Sequence, residues 1–194
     1  MRGKRAKGLL AVAVMSAFVV GDGSLAPAAN TTYTFEECDE GWKAVENSGA
    51  PTPTSKWHRD SPGDLSGFAM YNGPPYAGSD SEELLTSPAH KWKGGKVTLS
   101  YSIKYNYEPE GTRATEEGIH VEWSRNGRLW KRVAFHGETN AGYPAFEQQT
   151  VKFKAPKGKV FIRFKVLSDA LVEFAGGAVD NVTINAKKPS SAKC

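Results

Sequence analysis

The chain has 194 residues, 39% hydrophobic, 24% charged and 11% aromatic, with 20 Gly, 11 Pro and a formal net charge of +4. That balance excludes a disordered polyelectrolyte, a coiled coil and a fibrous repeat, and a chain of this size buries enough surface to build one core without obligatory metals or disulfides. No His-Glu-x-x-His, Gly-x-Ser-x-Gly, phosphate loop or dinucleotide fingerprint occurs, so the commonest protease, esterase and nucleotide-binding chemistries have no motif to stand on.

Residues 1–28 read as a signal peptide. Arg2, Lys4, Arg5 and Lys7 form a positive segment, the run from Gly8 to Val20 is apolar, and Ala26-Pro27-Ala28 offers the small residues a signal peptidase reads. As a helix that run spans about 20 Å, short of the roughly 30 Å hydrocarbon core, so a membrane anchor is not expected. Cleavage between Ala28 and Ala29 would give a secreted, extracellular protein with no membrane insertion of the mature chain.

The remaining charge is polarised along the chain. Residues 29–83 carry 3 basic and 10 acidic side chains, whereas residues 84–194 carry 18 basic and 10 acidic. No nucleic-acid-reading module accompanies the cations, so nucleic acid is not an expected partner. Lys152, Lys154, Lys157, Lys159 and Lys165, spaced around apolar residues, read as the solvated face of a sheet.

The stretch from Asn47 to Ser81, rich in Ser, Pro and Gly, predicts long ordered loops. Val97, Leu99, Tyr101, Ile103 and Tyr105 alternate with polar residues and predict a strand with one buried face. Glu108 to Gly118 reads as a charged loop. Ile119, Val121 and Trp123 predict a second strand, Asn126-Gly127 a two-residue hairpin turn, and Trp130 to Phe135 the partner strand, with Trp130 packing back on the core. Further strands are predicted at 150–154, 160–166, 171–174 and 178–184, and 186–194 as a flexible basic tail. No helical stripe appears after residue 29. Short alternating strands of this kind specify an all-β fold, a two-sheet antiparallel β-sandwich of the jelly-roll, concanavalin- or galactose-binding-like kind, over residues 29–185.

Cys38 and Cys194 are the two cysteines. An even count in an oxidising compartment favours a disulfide between them, beside the alternatives of a free terminal thiol or an intermolecular pair. Trp57, Tyr71, Tyr76, Tyr105 and Tyr107 lie in or beside predicted loops, where flat rings near polar groups suit a sugar face or a peptide. Most of these rings are expected to cover the end of the sandwich, and two or three exposed ones suffice for a site. His58, His90, His120 and His136 are isolated, and no carboxylate pair has the spacing of a sandwich glycosidase. The reading is a noncatalytic recognition or adhesion module for an extracellular glycan or protein. The alternatives are a small secreted hydrolase or lyase on the same scaffold, and a purely structural surface protein.

Several landmarks occur in one order: Tyr33-Thr34-Phe35-Glu36 with Gly41-Trp42, then Leu85-Thr86-Ser87-Pro88, then Val121-Glu122-Trp123, and last Asp180-Asn181-Val182. In that order, over about residues 32–185, the chain resembles the jelly-roll superfamily of MAM domains and the accessory domains of immune-inhibitor-A-type metalloproteases. It departs from MAM domains proper in having fewer cysteines, which makes a bacterial-type relative the better comparison. The resemblance implies that the first and last strands pair antiparallel, bringing Glu36 near Asp180. It further implies a structural Ca²⁺ held by Glu36 and Asp180 with loop carbonyls, Asp60 or Asp64 completing the shell. Without His-Glu-x-x-His, protease activity does not carry over.

Overall fold

The computed structural model describes residues 29–46, 57–61, 67–72, 81–107, 117–137, 145–168 and 176–194. These fold as two antiparallel sheets, and among the described residues there is no helix. The first sheet runs β3 (His58–Asp60), β4 (Ala69–Asn72), β12 (Gly176–Ile184), β7 (Gly95–Asn106), β10 (Glu147–Ala155), with β1 (Thr31–Tyr33) also paired to β12. The second runs β2 (Lys43–Glu46), β5 (Ser81–Thr86), β11 (Gly158–Ser168), β8 (Gly118–Ser124), β9 (Trp130–His136), with β6 (His90–Trp92) paired to β11. The chain is a two-sheet antiparallel β-sandwich of the jelly-roll type.

Alternation on the long central strands explains why the sheets close on each other. Val97, Leu99, Tyr101 and Ile103 of β7 face Ile162, Phe164 and Val166 of β11 and Ile119, Val121 and Trp123 of β8 across the core, all buried. Aromatic rings fill the middle: Trp42 stacks on Phe164 with centroids 5.8 Å apart, and Tyr101 meets Phe164 edge-on at 5.3 Å. Two core histidines satisfy tyrosine hydroxyls, His90 Nε2 at 3.1 Å from Tyr33 Oη and His136 Nε2 at 2.8 Å from Tyr101 Oη. Burial lowers both imidazoles to about 4, so they are neutral at pH 7.

β12 shows how local chemistry sets the topology. Two strands share one of its edges, β4 against Gly177–Val179 and β1 against Val182–Ile184. Between them the register with β7 shifts, and Asn181 takes φ +49°, a left-handed conformation that Asn tolerates better than most residues. This bulge lets one strand serve both neighbours, and it places Asp180 in the gap between them.

Four expectations change. The stretch from Asn47 to Ser81 supplies β3 and β4 as well as loops, because short segments with little propensity of their own are recruited by the edge of β12. The β8–β9 hairpin is not a two-residue turn: Ser124 pairs with Trp130, leaving five residues between. Ser124 Oγ accepts from the amides of Asn126 and Gly127, and Asn126 Oδ1 from those of Arg128 and Leu129, so side chains organise the wider loop. Trp130 does not pack back on the core; it lies on the outer face of the second sheet, against Arg163. The C-terminal segment, expected to be flexible, is tied down by the Cys38–Cys194 disulfide, by buried Ala186 and Ala192, and by Lys188 Nζ at 2.7 Å from Glu40 Oε1. The strand predicted at 171–174 and the loop at 108–116 lie outside the described residues.

Candidate functional site

On the strands of the second sheet, the side chains opposite the core form a continuous polar and aromatic face. Register places them in rows: Glu122 of β8 opposite Arg163 of β11 and Arg132 of β9, and His120 of β8 opposite Lys165 of β11 and Phe135 of β9. Ser124 separates Phe161 from Trp130 in a third row. On β8 these outward residues are nevertheless buried, Ser124 at 1%, His120 at 3% and Glu122 at 7%, because the longer side chains of β9 and β11 close over them. Such coverage costs desolvation unless every charge finds a partner.

The partners are present. Arg163 donates from both Nε, at 2.7 Å, and Nη2 to Glu122 Oε2, and Lys165 Nζ lies 3.8 Å from Glu122 Oε1. The Arg163 guanidinium also sits 4.1 Å from the centroid of Trp130. Arg132 Nη1 donates to His120 Nδ1 at 3.4 Å and its guanidinium lies 5.7 Å from the Phe135 ring. Burial first, and then Lys165, lowers His120 to about 4, against the opposing pull of Glu122 and Glu82, so the ring accepts from Arg132 as a neutral base. The result is a floor of partly exposed rings, Trp130, Phe135 and Phe161, among hydrogen-bonding groups already held in place. Glu122, bound by two cations, is a positioned acceptor and not a free general base.

The residues predicted from sequence are distributed differently. Trp57 and Tyr107 are 2% and 0% exposed and belong to the core cluster, which corrects their reading as ligand rings: period-two burial reaches past the ends of their strands. Tyr105 is partly exposed, tilted against His136 with centroids 5.3 Å apart, and its hydroxyl is raised by burial and by Glu147. Tyr71, partly exposed on the outer face of the first sheet, meets His58 edge-on at 5.6 Å. Tyr76 and Asp64 lie outside the described residues. Sequence reading missed Trp130, Phe135, His120, Glu122, Arg132 and Arg163. The available signal was the polar series His120, Glu122, Ser124 on a strand flanked by apolar ones, matched by Arg163 and Lys165 on a second.

The two metal candidates do come together. β1 and β12 pair antiparallel, and the carboxylates of Glu36 and Glu40 raise Asp180, whose pKa is about 6 chiefly through burial. Asp180 accepts from its neighbour Asn181, at 2.6 Å from the amide and 2.7 Å from Nδ2. Glu36 Oε2 accepts from the Phe68 amide at 3.2 Å, and Arg59 Nη1 donates to the Glu36 carbonyl at 2.8 Å. Glu40 is engaged by the amides of Thr34 and Phe35 and by Lys188. Asp60 is exposed and accepts from Ser61. Among the described residues no three His, Cys, Asp or Glu side chains converge on one metal position, so a Ca²⁺ there would take two carboxylates and complete its shell with backbone oxygens. Asp180 is a buried carboxylate that, among the described residues, has no cationic side chain in hydrogen-bond contact.

No protein-family model matches the sequence, and no curated protein sequence matches it. Solved structures do. The K1 cleaved adhesin domain of Lys-gingipain from Porphyromonas gingivalis is similar at 20% identity and a TM-score of 0.52, over 82% of this chain and 99% of that one. The K3 cleaved adhesin domain of the same protein is similar at 16% identity and a TM-score of 0.57, over 80% and 98%. The CBM22-1 xylan-binding domain from Paenibacillus barcinonensis is similar at 15% identity and a TM-score of 0.48, over 82% and 95%. At these identities the likeness is one of fold.

Proposed function

We propose that the chain is a secreted, noncatalytic recognition module that binds an extracellular glycan on the outer face of its second sheet. The observation that carries this is the floor of partly exposed Trp130, Phe135 and Phe161 around the fixed Arg163–Glu122 and Arg132–His120 pairs. Rings offer apolar surface to the C–H face of a sugar, and charged groups already paired and oriented offer hydrogen bonds at little cost in ordering. The jelly-roll sandwich shared with adhesin domains is in keeping with this reading. A Ca²⁺ at Glu36 and Asp180 is proposed as a structural ion that steadies the junction of β1 and β12 and takes no part in ligand contact.

Affinity electrophoresis in gels containing xylan, mixed-linkage β-glucan or galactan tests the reading. At least one neutral polysaccharide should retard the protein, Trp130→Ala should abolish the retardation, and no reducing ends should be released. Retardation by none of a broad panel, or unchanged retardation of the variant, would contradict it.

A further inference from the structure

Four segments that meet at one end of the sandwich carry no acidic side chain. Residues 84–107, 123–137, 148–168 and 181–194 contain no Asp or Glu. The fold gathers parts of all four at the same end. The turn after β6, at Lys93 and Gly94, touches the turn after β10: a Cβ placed on Gly94 would lie 3.3 Å from the amide nitrogen of Lys157. The β8–β9 loop meets the same turn through Pro156, and Asn185 reaches the start of β7, accepting from the Thr98 amide at 2.7 Å.

The cations this brings together are exposed. Lys154 is the direct cross-strand partner of Lys96 on the first sheet, and Lys159 that of Lys91 on the second. Lys93 and Lys157 occupy the turns between. Like charges directly opposite one another destabilise a sheet, and here each sheet carries one such pair, with no Asp or Glu side chain in any of the contributing segments to offset them. None of the six lysines makes a salt bridge with a described residue. Beside them, a cavity of about 440 Å³ is lined by Trp123, Ser124, Arg125, Asn126, Leu129, Lys131 and Pro156. Trp123 is stacked on Phe153 with centroids 5.1 Å apart, and Arg125 and Lys131 are exposed at its rim. An apolar wall with two cations, in a volume suited to a small-molecule unit, fits a sugar ring bearing an anionic substituent.

We infer that this lysine end is a second binding surface, for an acidic polysaccharide. The belt of cations tracks a polyanion, and the cavity by Trp123 takes one of its residues. A single-stranded nucleic acid would need exposed rings for base stacking, but of the exposed large apolar side chains among the described residues, Val45, Phe68 and Leu129, only Leu129 lies at this end. One leucine is likewise too little apolar surface to hold a lipid bilayer. The cavity meets the floor around Trp130 at Ser124, but none of the six lysines belongs to that floor, so the lysine variants and Trp130→Ala test the two readings separately.

The test is binding of the purified protein to polygalacturonate, followed by titration calorimetry across a salt series, with duplex DNA and anionic phosphatidylserine vesicles as parallel arms. Two variants, Lys157→Glu/Lys159→Glu and Lys91→Glu/Lys93→Glu, are checked for folding by their thermal transitions. Polygalacturonate should bind, weaken steeply with salt, and lose about tenfold or more in affinity in each variant, because surface charges act additively on a polyanion. Trp130→Ala should leave it unchanged. Absence of binding, binding indifferent to both folded variants, or equal or tighter binding of DNA or vesicles would overturn the assignment.

Discussion

The guanidinium carbon of Arg163 lies 4.1 Å from the ring centroid of Trp130, two strands away in the same sheet. The same guanidinium holds Glu122, on the strand between them, with Arg163 and Glu122 side chains only 12% and 10% exposed. Removing Arg163 therefore leaves a largely buried carboxylate with only Lys165, at 3.8 Å, for compensation. Arg163→Ala should cost about 2–3 kcal/mol of stability. Glu122→Gln, which keeps an acceptor without the charge, should cost less. Chemical denaturation of the two single variants and the double variant checks this. Additive effects would show that the pair contributes nothing as a unit.

Acid should unfold the protein through its histidines. His90, His120 and His136 have folded-state values of about 4 against an ordinary 6.5. The unfolded chain thus binds more protons between those limits. Stability from these groups is complete above about pH 6.5, falls as the pH drops, and is gone below about 4, with each fully buried ring contributing on the order of 1–3 kcal/mol. Denaturation midpoints from pH 7 to pH 4 should fall steadily, and His136→Gln, which keeps a partner for Tyr101, should flatten the slope. A flat profile for the parent protein would contradict the neutral, buried assignment.

Asp180 works in the opposite direction. Its folded-state value is raised to about 6 from 3.8, chiefly by burial and then by Glu36 and Glu40. The folded protein binds the extra proton, so the ionised group lowers stability above pH 6 and that deficit disappears as the pH falls toward 4. In chelator at pH 7, Asp180→Asn should be more stable than the parent by about 1–2 kcal/mol. In millimolar Ca²⁺ the order should reverse, because a ligand bound only to the folded state raises stability by mass action. Thermal unfolding of the parent, Glu36→Gln and Asp180→Asn with and without Ca²⁺ reads both effects. An unchanged parent transition would remove the ion.

The C-terminal strap should be a major source of stability. Cys38 and Cys194 are joined across a separation of 156 residues, and Gly41, at φ +81°, lies so close beneath the carbonyl of Ser191 that a Cβ would clash with it. Closing so long a loop restricts the unfolded chain, so Cys38→Ser/Cys194→Ser should lose about 3–5 kcal/mol. Gly41→Ala should lose about 1–3 kcal/mol through the clash and the backbone conformation together. Guanidinium titrations of both, with and without reductant, check the order. A reductant-insensitive midpoint for the parent would count against the strap.

What the sequence disclosed depended on how far each signal reaches. β7, β8, β10 and β11 were legible because their inward residues, such as Val97 to Ile103, alternate strictly over a long run. β3, β4 and β6 were not, since three or four residues carry no period and take their conformation from the edge they join. The pairing of β1 with β12, and with it the approach of Glu36 to Asp180, was implied by resemblance and not by local pattern. The face around Trp130 was hidden for another reason. Its members lie on β8, β9 and β11, and only the register reveals that Glu122 and Arg163, 41 residues apart, are neighbours. Trp57 and Tyr107 misled because a ring beside a loop and a ring closing a core look alike in one dimension.

The most direct test of the account is to map, by amide chemical-shift perturbation, where a retained neutral oligosaccharide contacts the protein. The account predicts perturbations concentrated on β8, β9 and β11 around Ser124, Trp130, Arg132 and Arg163, and their loss in Trp130→Ala. Perturbations confined to the first sheet around Tyr71 and His58, with the second sheet unmoved, would contradict it.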